Sequence, residues 1–259
     1  MKRTGPMAFA ASLALLAPAA GAQADCPTAA DPIATDRPAF ANSSSVVPTA
    51  SLQLENGVGA SQSAATTIWD LPETRARFAV AACTEFLVDL PDYTVADTRP
   101  GAHGWTSLAP TIKHQFGGLP DGLTLSGAIG AALGTGARQV AGRGPAPYAQ
   151  LPWTFDLGGG WTANGMYGVT FHPGATVSAP DNLSTVFLDR TLGDSADVFF
   201  EYANDLQHGA PTLNRVSVGG SYRYAPTRQI DLKVGTGLNG AAPDWYFTVG
   251  YSLRFDQVF

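Results

Sequence analysis

The last fifteen residues, from Trp245 to Phe259, limit most strongly how this chain can fold. Large apolar or aromatic side chains alternate there with polar or small ones, one position after another. Alternate side chains of a β-strand point to opposite faces, so one face of this segment is apolar and the other is polar. The wall of a membrane barrel needs strands with an apolar exterior and a polar reverse. The segment therefore predicts a lipid-facing strand.

The final residue continues the apolar face of this strand. The face consists of Trp245, Phe247, Val249, Tyr251, Leu253 and Phe255, and Phe259 falls in register with it. Bacterial outer-membrane barrels typically end in this way. We therefore expect the barrel-assembly machinery to recognise the chain through the Phe259 strand.

The same period of two recurs along most of the chain. It predicts strands at about 51–60, 72–80, 84–90, 105–116, 122–134, 147–157, 161–171, 184–191, 196–204, 214–225, 229–238 and 245–255. Most are near the ~9–11 residues of a tilted membrane-spanning strand. The predicted fold class is all-β, an antiparallel transmembrane β-barrel of about twelve strands. Ten strands are the alternative, because the second, third and eighth have the least regular patterns.

The lengths of the connections give an independent signal. Short turns follow every second strand, whereas the intervening connections are longer, including 61–71, 91–104, 135–146 and 172–183. Bacterial barrels have short periplasmic turns on one rim and longer external loops on the other. An even number of strands then places both ends of the barrel on the periplasmic rim.

The N-terminus has the layout of a cleaved secretory signal. Lys2 and Arg3 precede an apolar run from Met7 to Ala17, and small residues follow it up to Ala24. This run is too short to span a bilayer as a helix. We expect residues 1–24 to be removed, 25–50 to form a periplasmic segment or plug, and 51–259 to form the barrel. The predicted location is the outer membrane, with its lipid as a partner.

The charge balance excludes one class of partner. Without Lys2 and Arg3, 15 basic residues become 13 against 21 acidic ones, and the net charge moves from −6 to −8. An acidic chain has no electrostatic basis for binding nucleic acid. After the signal, no stretch approaches the ~20 apolar residues of a transmembrane helix, so membrane insertion would have to occur through strands.

The segment between the signal and the first strand is rich in proline and serine, so it does not predict a wall strand. One hypothesis is that it narrows the periplasmic mouth, with Asp36 and Arg37 bonded to charges in the lumen. A disordered periplasmic tail is the alternative.

Cys26 and Cys83 are the only cysteines. Both fall on the periplasmic side, in an oxidising compartment, which predicts a disulfide between them; two free thiols are the alternative.

Charged residues on the polar faces of the strands should line the lumen. These candidate pore residues are Glu55, Arg77, Glu85, Asp89, Lys113, Asp156, Glu201, Arg223, Asp231, Lys233 and Arg254. Such an interior could filter a polar solute. It could also pair across the lumen and fill it, as in small barrels. The strand count does not decide between these two interpretations.

Several segments of the mature chain carry a resemblance to a known family. The segments are Thr35–Phe40, Ser43–Pro48, Leu52–Gly57, Arg77, Leu90–Tyr93, Glu201–Tyr202, Gln229–Gly235, Gly237–Asn239 and Ala242–Asp244. They resemble a family of outer-membrane transporters named for the MetA pathway of phenol degradation. The resemblance covers nearly the whole mature chain and implies a barrel of about twelve strands. The family name implies transport of aromatic compounds. The family often has Glu-Leu-Arg on the third strand, whereas this chain has Glu85-Phe86-Leu87.

Enzymatic motifs are missing from the sequence. The four histidines, His103, His114, His172 and His208, are scattered, and no zinc, nucleophile-elbow or phosphate-loop motif occurs. We therefore predict no catalytic residues, no metal site and no cofactor. The predicted function is uptake of small molecules, including aromatic or other hydrophobic compounds, through a channel. The alternatives are a non-conducting structural barrel and an outer-membrane lipid hydrolase using the outward-facing His114.

Overall fold

A computed structural model describes residues 26–97, 101–117, 119–141, 144–172 and 180–258. The predicted signal, Asp25 and Phe259 lie outside these residues. Fourteen strands occur in the described part of the chain. They are β1 Leu52–Ser63, β2 Thr66–Ala81, β3 Thr84–Asp89, β4 Tyr93–Ala96, β5 His103–Trp105, β6 Ala109–Gln115, β7 Leu123–Ala132, β8 Ala146–Gly158, β9 Trp161–Thr170, β10 Asp181–Leu192, β11 Ala196–Leu206, β12 Leu213–Ala225, β13 Arg228–Gly237 and β14 Trp245–Phe255.

Twelve of these strands close into an antiparallel barrel. β1 pairs with β2 on one side and with β14 on the other, and the remaining wall strands follow one another between them. β4 and β5 form a hairpin that pairs only with the outer part of β2, from Ile68 to Leu71. The predicted all-β barrel of twelve strands is confirmed, and the ten-stranded alternative is wrong.

The two faces of the wall differ as the sequence pattern predicts. Outward side chains are apolar and exposed, including Ile129, Phe200 and Val218 at 67%, 54% and 52%. Inward side chains are polar or charged and buried, as at Gln53 and Ser126. Within the described residues, no helix is long and apolar enough to cross a membrane. A closed barrel with an apolar exterior satisfies its backbone hydrogen bonds internally, as lipid requires.

The first external connection differs from the sequence prediction. The sequence predicts a loop at residues 61–71, but β1 and β2 pair as far as Ser63 and Thr66, leaving two residues between them. The predicted strand began at Pro72, whereas β2 begins six residues earlier. Pro72 lies at a register shift, between Asp70, which pairs with Gly59, and Glu73, which pairs with Gly57, and its missing N–H is tolerated there.

The other connections follow the predicted alternation. β8 and β9 are joined at Gly158–Gly160, where all three glycines have positive φ (79°, 62° and 78°), a conformation that glycine adopts without steric cost. This turn, the β2–β3, β10–β11 and β12–β13 turns and both barrel ends share one rim. We call this the periplasmic rim and the opposite one the external rim.

Candidate functional site: a plugged lumen

Residues 26–50, which we call the plug segment, lie inside the barrel. Ile33, Asp36, Ala41, Val46 and Val47 of this segment are all buried. The segment has no regular secondary structure, so its backbone N–H and C=O groups cannot pair within a helix or sheet and need other partners. The lumen side chains supply these partners.

Wall carboxylates accept hydrogen bonds from backbone N–H groups of the plug segment. Glu85 accepts one from Val47 at 2.8 Å, and Glu201 accepts one from Phe40 at 2.8 Å. Glu55 accepts from the Asp36 N–H through both oxygens, at 3.0 and 3.2 Å. Charge-assisted bonds of this kind are stronger than those between neutral groups. They fix the path of the plug segment.

Wall cations bind carbonyl oxygens of the same segment. Arg77 donates to Ala34 at 3.0 Å and to Ser45 at 2.9 Å, and Lys113 donates to Ser43 at 3.1 Å. Near the periplasmic rim, Arg254 donates to the carbonyls of Ala29 and Asp31 at 3.2 and 2.9 Å. The plug segment is thus held along its length.

Asp36 is the centre of the ion network. Its carboxylate lies 2.8 Å from Arg75, 3.5 Å from Arg77 and 3.4 Å from Lys113. Burial would raise the pKa of Asp36, but the charges of Arg77, Lys113 and Arg75 outweigh burial and hold this pKa well below its usual range. Asp36 is therefore ionised at any physiological pH.

Two wall carboxylates complete this network. Glu55 and Glu85 each lie 2.9 Å from Arg77, and Glu85 also lies 2.7 Å from Lys113. All four side chains are at most 1% exposed. Two carboxylates and two cations of the wall are therefore paired without the plug segment.

Arg37 occupies a cradle in the outer half of the lumen. Its guanidinium forms an ion pair with Glu73, donates to the Thr248 hydroxyl and lies 3.5 Å from Asp231. A Cβ atom added at Gly57 or Gly250 would overlap this guanidinium. The glycines are thus required for the close approach of Arg37 to the wall.

Phe40 is the second anchor of the plug segment. The Lys233 ammonium lies 3.5 Å and the Arg215 guanidinium carbon 4.1 Å from the centroid of its ring. The ring centroid of Tyr246 is 5.5 Å away. Cations over an aromatic face are attracted by its quadrupole, more strongly in a desolvated site.

Two cavities lie on opposite sides of residues 36–42, which we call the septum. The outer cavity has a volume of about 500 Å³ and is lined by Asp89, Asp92 and Thr106 toward the external rim. The inner cavity, of about 220 Å³, is lined by Asp197 and Arg223 toward the periplasmic rim. Asp36 to Ala39 and Asn42 line both cavities. These residues therefore lie between the two cavities.

The outer cavity is acidic near its mouth. Asp92 lies between β3 and β4, and burial raises the pKa of its carboxyl group to about 7, with the charges of Glu73, Asp70 and Asp89 adding to the rise. Asp92 consequently gains a proton as the pH falls through this value.

The structure brings most of the candidate pore residues together in the lumen. Those buried there are Glu55, Arg77, Glu85, Lys113, Glu201, Asp231, Lys233 and Arg254. Arg223 and Asp89 are partly exposed and pair with Asp197 and Arg75 at 2.9 and 3.0 Å. Asp156 is exposed near the periplasmic rim and accepts from Gly158 N–H at 2.8 Å, so it lies apart from the others.

Sequence reasoning missed several residues of this site. Glu73 and Arg75 precede Arg77 at a spacing of two, so all three fall on one face of a strand. Asp197 precedes Glu201 by four positions and shares its face in the same way. The period-two pattern could therefore have found these residues. Phe40 carries no such signal, because no periodicity constrains the segment that contains it.

A model of the family described as "Putative MetA-pathway of phenol degradation" matches residues 35–255. The chain belongs to this family. The match begins inside the plug segment and ends with β14, so it includes both the septum and the wall. At the position where the family often has the arginine of Glu-Leu-Arg, Leu87 is 3% exposed and has the inward register of Glu85.

Solved structures share the barrel fold. An outer-membrane channel from Pseudomonas putida F1 superposes with a TM-score of 0.66 at 9% identity, covering 81% of this chain and 97% of that chain. The KdgM porin gives a TM-score of 0.54 at 10% identity, covering 79% and 99%. No curated protein is significantly similar in sequence. The fold, with its apolar exterior, is that of an outer-membrane β-barrel. The protein is therefore located in the outer membrane.

The histidine of the hydrolase alternative lies outside the lumen site. His114 faces outward, with its Nδ1 2.9 Å from the Thr84 hydroxyl. Among the described residues, no group of three or more His, Cys, Asp or Glu side chains is arranged to hold a metal ion. The hydroxyl group beside His114 is thus that of a threonine.

Cys26 and Cys83 are joined in the structure, with Cα atoms 5.2 Å apart. The bond links the start of the plug segment to the β2–β3 turn. Closing a loop with a sequence separation of 57 stabilises the folded state by about 4 kcal/mol in the chain-entropy model.

We expect the mature protein to gain ~2 Da on reduction of this disulfide. Cys83→Ser should remove this shift and make the plug segment more accessible to protease. An intact mass unchanged by reduction would contradict the tether.

Proposed function

We propose that the protein is an outer-membrane channel for the uptake of small molecules, closed at rest by the septum. The observation that carries this proposal is the pair of cavities on opposite sides of residues 36–42. A barrel built only as a structural wall has no need for polar cavities facing both rims. Displacement of the septum would join the two cavities into one route through the lumen.

The septum has more side-chain contacts than the residues that follow it, which supports a local gate. Arg37 and Phe40 are held by their side chains, in the cradle and beside two cations. The backbone N–H groups of Asp36 and Phe40 also bond to Glu55 and Glu201, and these bonds would have to break on opening. Residues after the septum are bound through their backbone, as at Val46 to Gln115 and Val47 to Glu85. The disulfide of Cys26 ties the other end. The septum could therefore leave while both flanks stay in place.

The lining supports small polar solutes as cargo. Charged and hydroxyl side chains, including Arg75, Asp92 and Thr106, dominate the outer cavity, whose volume of about 500 Å³ lies in the range of small-molecule sites. The inner cavity adds the aromatic side chains of Trp153 and Phe199. An aromatic compound carrying polar groups fits both linings, whereas a plain hydrocarbon would leave the outer charges desolvated.

A non-conducting barrel is the second candidate. The fully paired network around Arg77 favours it, because a lumen filled with bonded side chains can serve stability alone. The enzyme alternative has no comparable support, since the two solved structures described above are a channel and a porin.

Phe40→Ala tests the proposal by weakening the septum. Loss of the contacts with Lys233 and Arg215 should cost about 2 kcal/mol of closed-state stability, roughly a thirtyfold shift toward the open state. Single-channel recording in a planar bilayer should show rare openings for the wild type and frequent ones for Phe40→Ala.

Phe116→Ala is the matched control, because Phe116 is 40% exposed. It removes a ring of the same size and should leave the recordings unchanged. Inserted, heat-modifiable protein that shows no openings in either the wild type or Phe40→Ala would instead support the non-conducting barrel.

A further inference from the structure

The cradle of Arg37 is more acidic than its single occupant requires. The carboxylates of Glu73 and Asp231 both face one guanidinium, with the Thr248 hydroxyl beside them. The side chain of Asp231 is fully buried, and neither of its oxygens accepts a hydrogen bond from any described residue. A buried carboxylate without such a partner is costly, so a cation that hydrogen-bonds to Asp231 as well as to Glu73 would be held more favourably than Arg37 is.

The backbone around the cradle leaves space for a planar cation. Cβ atoms at Gly57 and Gly250 would overlap the guanidinium, and one at Gly59 would come within 2.8 Å of a Glu73 oxygen. Two wall positions without side chains therefore border the guanidinium, and a third borders its partner Glu73. The space belongs to the wall and would persist when the septum moves away.

The cradle opens toward the external rim. Arg37, Glu73 and Thr248 line the outer cavity. Among the described residues that line this cavity, five are acidic and three are basic: Asp36, Glu55, Glu73, Asp89 and Asp92 against Arg37, Arg75 and Lys233. An acidic vestibule concentrates cations at its mouth. A solute cation entering from outside would thus meet the cradle before it meets the septum.

We infer that this cradle is a binding site for small organic cations that carry a guanidinium or primary ammonium group. Arg37 occupies it as a tethered substitute, and the solute displaces Arg37 and releases the septum. This inference rests on the proposed gated channel. The exchange replaces one monovalent cation by another, so the charge of the cradle is unchanged. Carboxylates and a hydroxyl are the partners that a guanidinium or ammonium requires.

Arg37→Ala exposes the cradle and allows binding to be measured without conductance. Methylguanidinium is the probe, and isothermal titration of the detergent-solubilised mature protein is the readout. We expect saturable binding to Arg37→Ala and at least about tenfold weaker binding after the further change Asp231→Asn, because a charge-assisted partner is lost. The wild type should bind more weakly than Arg37→Ala, since its own guanidinium competes.

Two controls separate this site from general charge effects. Urea has nearly the shape of guanidinium but no charge, and it should not bind. Arg190→Ala removes an arginine that packs on Trp161 at the periplasmic rim, 5.1 Å from the ring centroid, and should bind methylguanidinium no better than the wild type. Arg37→Gln serves as a second variant if Arg37→Ala does not insert.

The outcomes distinguish the inference from the function on which it rests. Binding to Arg37→Ala, together with more frequent wild-type channel openings in methylguanidinium, supports both. If Arg37→Ala conducts but binds methylguanidinium no better than the wild type, the cation site is overturned and the channel proposal stands. Binding without any conductance overturns the gating role of the site and the channel together. Equal binding of urea and methylguanidinium overturns the inference.

Discussion

Deletion of residues 25–48, combined with Cys83→Ser, is expected to give a permanently open channel. The conductance should exceed that of the wild type by about tenfold or more, because a twelve-stranded barrel encloses a lumen wider than the filled eight-stranded one. The second change avoids the free thiol that loss of Cys26 would create. Single-channel recording in a planar bilayer measures the effect.

The barrel should survive this deletion because its buried wall charges already pair with one another. Glu55 and Glu85 remain bonded to Arg77, and Glu85 remains bonded to Lys113. Water that enters the emptied lumen would solvate the groups that contacted the plug segment. Cys83→Ser alone is the control and should conduct far less than the deletion. Unchanged conductance after deletion would show that the plug segment does not close the pore.

Arg77→Met is expected to cause the largest loss of stability of any single substitution that we propose. Arg77 is fully buried and pairs with Glu55 and Glu85, so its removal leaves two carboxylates short of one cation. Breaking a buried network in this way costs about 3–5 kcal/mol. Arg77 also binds the carbonyls of Ala34 and Ser45, so the plug segment should loosen as well. Urea unfolding followed by heat-modifiable gel mobility measures the change.

Arg223→Met provides a matched control in the same wall. Arg223 pairs with Asp197 at 2.9 Å, but both side chains are partly exposed, at 19% and 18%. Pairs that reach solvent contribute about 0–1 kcal/mol. Equal urea midpoints for the two variants would contradict the central role that we assign to the buried network.

Much of the wall could be predicted from the sequence because its signal is local. In β11, β13 and β14, each side chain's face follows from its own position in a period of two, without knowledge of any partner. The same rule placed Glu55, Glu85 and Lys233 in the lumen. It predicts a start near residue 72 for β2, whereas the strand begins at Thr66 and a bulge accommodates Pro72.

The interior of the lumen could not be predicted in the same way. Arg37 and Thr248 are 211 residues apart in sequence, and Arg254 and Ala29 are 225 apart. Such contacts exist only after the wall has closed, and no repeating pattern in the plug segment encodes them. The sequence indicated that Asp36 and Arg37 could meet lumen charges, but neither the partners nor the septum could be read from it.

The amino-acid sequence by itself determined a barrel with an apolar exterior, a charged interior and two unequal rims. These properties follow from alternation and loop length, which depend on near neighbours in the chain. Only the tertiary structure decided that the N-terminal segment lies inside the lumen and divides it into two cavities. The reason is that an irregular backbone can be buried only where distant side chains satisfy its hydrogen bonds, and the closed wall brings those side chains together.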